Sequence, residues 1–265
     1  MTGDRALAAA LAILLFGCAV TAARAQQAPA DDSQPLGRTA ISAQSTQAQR
    51  DAFLEALAER IERDGFAATR GELETLIDRP DLPAAFRSRV LRAAVEVTRR
   101  ARNPDFQETA ERAYAALVDQ VADLNERSIL IQTMGNIEVD RGRFAEAEAL
   151  YLASDELASG RALDERANLM TALGVARAQQ GKLDVALEAM LEAYARYQQT
   201  EDGPSPNLLR NIGALSIYLE DYEQAVDFSR QAIDAFDPEH RDTPGTYSNL
   251  AAALVELDRP AEAMT

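Results

Sequence analysis

An all-α fold of stacked helix pairs is predicted by three features of this sequence. A small residue recurs at spacings of 39, 39 and 38 positions, at Gly135, Gly174, Gly213 and Ala251. Alanine follows each of these landmarks by twelve positions, at Ala147, Ala186, Ala225 and Ala263. Apolar residues around them recur at offsets of 3, 4 and 7, the periodicity of one helix face. Repeats of this length predict a solenoid in which each helix pair buries its apolar face against its neighbours.

The first helix of each segment carries large apolar residues one and four positions before its landmark. These residues are Met134, Leu173, Ile212 and Leu250, and Ile131, Met170, Leu209 and Tyr247. The second helix carries Tyr151, Met190 and Ser229 sixteen positions after the landmark. We expect the small landmark to let the two helix backbones approach closely, while the larger side chains fill the remaining space.

This pattern resembles the tetratricopeptide repeat, whose signature runs from a bulky residue through Leu-Gly to alanine across two antiparallel helices. The resemblance covers 124–265 and implies a right-handed superhelical solenoid that binds a protein or peptide on its concave face. The period exceeds the roughly 34 residues of that family. We place the surplus in the junctions near 158–163, 198–206 and 237–245.

Residues 50–123 precede the clear repeats and are predicted to form degenerate helical repeats or an amino-terminal cap. Asp64-Gly65, Arg79-Pro80 and Asn103-Pro104 separate the apolar stripes in this region and are signals for helix ends. The predicted helices are Asp51–Arg63, Gly71–Asp78, Ala84–Arg102 and Phe106–Val121.

The amino terminus has the pattern of an export signal. Arg5 precedes an apolar run from Ala6 to Phe16, and a small-x-small motif ends at Ala25, which predicts a signal peptide over 1–25 and a periplasmic or secreted protein. Processing as a lipoprotein at Cys18, or retention as an anchor, would instead leave it membrane-anchored and facing the periplasm. Residues 26–49 are rich in Gln, Ala, Ser, Asp and Pro, and predict a flexible tether.

Composition argues against several function classes. The chain carries 43 acidic and 27 basic residues, a formal charge of −16, so its surface would repel nucleic acid. Cys18 is its single cysteine and His240 its single histidine, so neither a disulfide nor a zinc site of ordinary composition is predicted. We expect no cofactor and no enzymatic activity in these 265 residues.

The family resemblance places ligand contacts on the first helix of each pair. Asparagine amides can bond both edges of an extended peptide, and a guanidinium can take a carboxylate. The likeness to the carboxylate-clamp subset of the family is partial because the lysines of that subset are missing. Alternatively, Asn207 caps a helix and Asn211 and Asn249 bond between repeats. The candidate residues are Gln132, Asn136, Asn207, Arg210, Asn211, Tyr218 and Asn249.

The fourth segment reaches only Ala261–Thr265 of its second helix, which predicts an exposed apolar edge. We therefore expect these residues to be the front portion of a longer polypeptide. Two functions remain open at this point. The first is a non-catalytic scaffold in the periplasm that binds a protein or peptide. The alternative is the sensory region of a membrane-bound signalling enzyme, such as a GGDEF diguanylate cyclase.

Overall fold

The computed structural model of the chain describes residues 41–100, 106–236 and 243–264. Within these ranges the chain forms eleven α-helices and no β-strand, which confirms the predicted fold class. The helices are α1 Gln47–Asp64, α2 Phe66–Ile77, α3 Ala84–Arg100, α4 Gln107–Leu117, α5 Leu124–Asp140, α6 Phe144–Leu157, α7 Leu163–Gln179, α8 Leu183–Tyr197, α9 Pro206–Tyr218, α10 Tyr222–Ala235 and α11 Thr243–Glu256.

The described residues divide between Ile137 and Glu138 into two compact units. The first unit holds α1 to α4 and most of α5. Its first helix begins at a capping box, in which the Thr46 hydroxyl accepts from the Gln49 backbone and the Gln49 side chain accepts from the Thr46 backbone, so two otherwise unpaired donors are satisfied. Its fully buried core includes Leu57, Ile61, Leu73, Ile77, Leu91 and Leu117.

Two expectations for this first unit require correction. Helix α2 begins at Phe66 rather than Gly71, because Phe66 is buried with its ring edge-on to Phe106 at 5.2 Å. The structured region also begins before the predicted end of the tether at residue 49. Ile41 is buried, and its carbonyl accepts a 2.7 Å hydrogen bond from Arg79 Nη1.

Helix pairs with small residues at their crossings build the second unit. Ala147, Ala186 and Ala225 have no exposed surface. A Cβ placed on Gly174 would lie 2.7 Å from Met190 Cγ and 3.0 Å from the Ala186 carbonyl oxygen. On Gly213, it would lie 2.9 Å from Ser229 Oγ. The landmark residues therefore allow the close approach of helix backbones that the sequence predicted.

One turn conformation joins the two helices of every segment. The residue seven positions after each landmark has a positive φ: 72° at Gly142, 77° at Gly181, 62° at Glu220 and 58° at Asp258. The next residue donates its backbone N–H to the carbonyl five positions earlier, at 2.8, 3.1, 2.9 and 2.8 Å in the four segments. The fourth segment thus repeats the turn of the first three.

The fourth segment departs from the others immediately after this turn. Earlier segments continue into second helices of 14, 15 and 14 residues, whereas α11 is succeeded by a 3-10 helix of five residues, Pro260–Met264. Tyr247 and Val255 on α11 are 53% and 59% exposed. This surface is the apolar edge that the sequence predicted.

Some sequence predictions lie outside the described residues. These are the signal peptide with its cleavage after Ala25, the lipidation alternative at Cys18, the break at Asn103-Pro104, and His240. The side chain of Ala263 is also outside them. None of the described helices combines the length and the apolar character that a membrane crossing requires.

Candidate functional site

A cavity of about 430 Å³ opens in the first unit between α1, α3 and α5. Two of the predicted site residues, Gln132 and Asn136, lie on its α5 wall and are half-buried. Its other lining residues are Leu54, Arg89, Arg92, Ala93, Val95, Glu96, Ile129 and Thr133. The cavity therefore combines apolar side chains with amide and charged groups.

Both arginines of the cavity wall are engaged in ion pairs. Arg89 pairs with Asp51, and Arg92 Nη1 lies 3.3 Å from Glu126 Oε2. Because both guanidinium charges are compensated within the unit, the cavity offers no surplus positive charge to a free anion. Amides beside apolar patches suit an uncharged polypeptide segment better.

A second set of predicted residues lies on α9 of the second unit. Ser205 caps this helix by accepting from the Leu208 backbone at 3.3 Å, and Pro206 occupies the first turn. The alternative role of Asn207 as the helix cap is therefore wrong. Asn207 Oδ1 is buried and accepts no hydrogen bond from any residue that the structure describes.

Arg210, Asn211 and Asn249 are buried polar residues on α9 and α11, two helices that contact each other. They are only 3%, 4% and 6% exposed. Arg210 Nη2 donates to Asn211 Oδ1 at 3.1 Å, so one hydrogen bond of Asn211 is made to its own chain neighbour. Asn249 Nδ2 donates to no acceptor in the described parts of the chain.

An unpaired buried amide atom costs roughly 1–3 kcal/mol. Native structures therefore pair nearly all such atoms, and each exception needs an explanation. Two amide atoms of this cluster are such exceptions. They are the side-chain oxygen of Asn207 and the side-chain nitrogen of Asn249. Together they offer one acceptor and one donor, the complement of the N–H and C=O groups of a peptide backbone.

Tyr218 stands apart from this polar cluster. It lies at the carboxy-terminal end of α9, eleven residues after Asn207 and thus about 16 Å along the helix axis. It packs half-buried against the apolar core of the second unit, and burial raises the pKa of its hydroxyl. The seven candidate residues therefore form two sets in different units, with Tyr218 separate from the polar cluster of its own unit.

Sequence reasoning missed Leu54, Arg89 and Arg92 of the cavity wall. They lie on α1 and α3, where no small-residue landmark fixes a register. Sequence alone therefore had no way of placing them opposite Gln132 and Asn136. The described residues also hold no group of three or more His, Cys, Asp or Glu side chains arranged to bind a metal.

Stacked helix pairs, small residues at the crossings and one repeated turn define the fold as that of a TPR-like helical-repeat protein. No protein-family model matches the chain, and no curated protein matches it. Solved structures do match. PilF of Pseudomonas aeruginosa aligns with a TM-score of 0.60 at 16% identity, over 81% of this chain and 88% of that one.

Two further structures resemble the chain to a similar degree. BtubC (BKLC) of P. vanneervenii gives a TM-score of 0.58 at 15% identity, over 83% of this chain and 88% of its own. A Podosopora anserina protein with nearly identical TPR-like repeats, described as a kinesin light chain, gives 0.54 at 19% identity, over 67% and 90%. At these identities the likeness is one of fold alone.

Proposed function

We propose that this protein is a non-catalytic scaffold that binds an extended peptide or protein segment through the polar cluster of Asn207, Arg210, Asn211 and Asn249. One observation carries the proposal: the buried Asn207 Oδ1 and Asn249 Nδ2 have no hydrogen-bond partner among the described residues. A bound peptide backbone would supply an N–H to the first atom and a C=O to the second. Ligand binding would thereby remove a cost that the unliganded fold carries.

Export to the periplasm is part of the same proposal. Arg5, the apolar run to Phe16 and the small-x-small motif ending at Ala25 support it. Lipidation at Cys18 remains the alternative that would hold the scaffold at a membrane. Nucleic acid is excluded from the proposed partners because of the formal charge of −16.

Asn249→Leu separates binding from folding. An apolar residue of similar volume removes the unpaired amide, so the free energy of unfolding should stay unchanged or rise. Peptide affinity should fall about tenfold, the equivalent of one lost hydrogen bond of about 1.4 kcal/mol. The affinity is measured by titrating a peptide selected on the wild-type chain from a displayed random library.

A matched control is Gln198→Leu, which changes an exposed amide after the end of α8. It should leave the affinity of the same peptide unchanged. The double substitution Arg210→Ala with Asn211→Ala should abolish binding. Equal affinity in the wild type, Asn249→Leu and the double variant would place the ligand elsewhere and contradict the proposal.

The alternative proposal, a sensory region of a membrane-bound signalling enzyme, is favoured by the uncovered apolar edge of α11. That edge is where further helices of a longer array would stack. The coding sequence after Thr265 decides between the two. A stretch of about 20 apolar residues followed by GGDEF-type motifs supports the sensory role, whereas a stop codon after a capping helix supports the scaffold.

A further inference from the structure

The polar cluster of the proposed function has a glycine beside it, at Gly245 on α11. Asn207 and Asn211 stand four residues apart on α9, and Gly245 and Asn249 stand four residues apart on α11, so each pair lies along one side of its helix. The two pairs also occupy the same register, six and two positions before the landmark of their segment. Helices α9 and α11 contact each other. Gly245 is therefore the residue of α11 that corresponds to Asn207 of α9.

The space beside Gly245 is open. A Cβ placed on this glycine would meet no atom of the described residues within 4 Å, although the residue is half-buried. On the landmarks Gly174 and Gly213, the same Cβ would lie 2.7 and 2.9 Å from a neighbouring side chain. Gly245 thus differs from the glycines that allow helices to cross. We call the space beside it the Gly245 gap.

Backbone conformation does not require glycine at this position either. Gly245 lies in the first turn of α11. Within a helix, glycine is less favourable than alanine. Neither helix crossing nor backbone geometry therefore accounts for Gly245. The described glycines that do have a positive φ are Gly65, Gly142, Gly181 and Gly203.

Asn249 connects the Gly245 gap with the proposed peptide site. It is 6% exposed, and its Nδ2 atom donates to no acceptor in the described parts of the chain. Because Asn249 lies one helical turn after Gly245 on the same side of α11, a ligand carbonyl that accepts from Nδ2 comes next to the gap. The unpaired acceptor on the neighbouring helix is Asn207 Oδ1. A segment that bonds to both asparagines therefore passes beside Gly245.

The charges of α9 and α11 define the side chain that fits the gap. A basic ligand side chain would find no carboxylate on either helix before Glu256. An acidic one is disfavoured by the formal charge of −16. The exposed residues that share the side of Gly245 on α11, Ser248 and Ala252, are small and uncharged. An apolar side chain gains most here, because a half-buried gap removes part of its surface from water.

We propose that the Gly245 gap receives one large apolar side chain of the bound segment, and that Gly245 sets this preference. The inference rests on the proposed function, since it requires a segment that pairs with Asn207 and Asn249. It adds the class of ligand, which is an extended segment with a residue such as leucine, methionine or phenylalanine next to the peptide group that Asn249 binds. We call this ligand residue the anchor.

The test combines a protein variant with a peptide variant. Gly245→Leu fills the gap with the protein's own side chain and should lower the affinity of the library-selected peptide at least about tenfold. An alanine scan of that peptide identifies the anchor, whose truncation should lower the affinity for the wild type at least about tenfold. The truncated peptide should bind Gly245→Leu and the wild type with affinities within about threefold of each other, because both changes remove the same contact.

Melting temperatures exclude a loss of structure as the cause. Gly245→Leu and Gly245→Ala should melt at or above the wild-type temperature, since both residues favour a helix more than glycine does. Gly71→Leu is the matched control. Gly71 lies within α2 and a Cβ on it would also meet no atom within 4 Å, but the residue is exposed and belongs to the first unit. This control should leave the peptide affinity unchanged.

The outcomes separate this inference from the proposed function. If Asn249→Leu weakens binding and Gly245→Leu does not, the peptide binds the polar cluster but places no side chain in the gap, and the inference alone is wrong. If neither substitution changes the affinity, both are wrong. The inference also fails if no peptide position loses its effect in Gly245→Leu, or if Gly245→Ala melts below the wild type, which would show that the fold itself requires the glycine.

Discussion

The second and fourth segments share one turn and one register, yet their first helices have opposite surroundings. Gly174 on α7 packs directly under Met190 and the Ala186 backbone. Ala251 on α11 instead lies between the exposed Tyr247 and Val255. The backbone bond that closes the turn is present in both segments, at 3.1 Å in the second and 2.8 Å in the fourth. The turn is thus the same in both segments, and the landmark is fully buried in the segment where a second helix packs over it.

The largest effect expected from this comparison comes from adding bulk at the two landmarks. Gly174→Leu should lower the free energy of unfolding by about 3 kcal/mol or more, because even a Cβ there would lie 3.0 Å from a backbone carbonyl oxygen. Ala251→Leu should change it by less than about 1 kcal/mol, since Ala251 is only half-buried, between the exposed Tyr247 and Val255. Urea denaturation of both variants measures the two values. A similar loss in both would mean that α11 is covered in solution.

Ion pairs between segments give a second contrast. Glu148 on α6 is 14% exposed and accepts from Arg177 Nε at 2.9 Å, Gln180 Nε2 at 2.9 Å and Lys182 Nζ at 2.6 Å. Burial alone would raise the pKa of Glu148, but the hydrogen bonds from these three residues outweigh it and lower the pKa to about 2. Near the fourth segment, Glu223 pairs with Arg259 while 67% exposed.

Glu148→Gln should therefore cost roughly 1–3 kcal/mol of stability at pH 7, the range set by its lowered pKa and by the partners it leaves unpaired. Glu223→Gln should cost less than about 1 kcal/mol because its pair is exposed. Thermal or urea unfolding at low and high salt compares the two. Glu146→Gln, at an exposed carboxylate on the same helix as Glu148, is the control and should be close to neutral.

The same carboxylate predicts the direction of the pH dependence. A folded-state pKa below the ordinary value means that Glu148 contributes stability above pH 4.5, which is lost as the pH falls toward 2. The stability difference between wild type and Glu148→Gln should accordingly shrink between pH 5 and pH 2. A difference that stays constant over this window would contradict the lowered pKa.

The smallest effects are expected at the shared turn. Glu220 holds a φ of 62° that glycine adopts without strain, so Glu220→Gly should stabilise the protein by about 0.5–1 kcal/mol. Asp258→Gly should give less, because aspartate tolerates this conformation better. Asp227→Gly inside α10 is the opposite control and should cost about 1 kcal/mol. Melting temperatures rank the three variants.

The packing of the second unit could be predicted in detail because its signal is local and repeated. The offsets of twelve and sixteen from each landmark correspond to the contacts of Gly174 with Ala186 and Met190, and of Gly213 with Ala225 and Ser229. The shared turn was missed, although Gly142 and Gly181 stand at equivalent positions. The third and fourth segments carry Glu220 and Asp258 at this position instead of glycine. Neither residue type indicates a left-handed backbone.

The first unit, its cavity and the polar cluster were less predictable, because contacts between residues far apart in the sequence determine their structure. Phe66 starts α2 through its contact with Phe106, forty residues along the chain. The ion pairs of Arg89 with Asp51 and of Arg92 with Glu126 are likewise distant in sequence. The register selected Asn207 and Asn249 from the sequence, but the lack of a partner for Asn207 Oδ1 and Asn249 Nδ2 among the described residues is visible only in the structure.

The recurrent turn makes the array divisible at defined points. Gly181 and Glu220 have nearly the same φ, 77° and 62°, and lie 39 residues apart. Removing residues 182–220 would join Gly181 directly to Asp221, so that α7 would lead into α10 through a backbone turn both helices already use. We therefore expect that one helix pair can be removed without designing a new loop, so that the number of repeats in this protein can be changed.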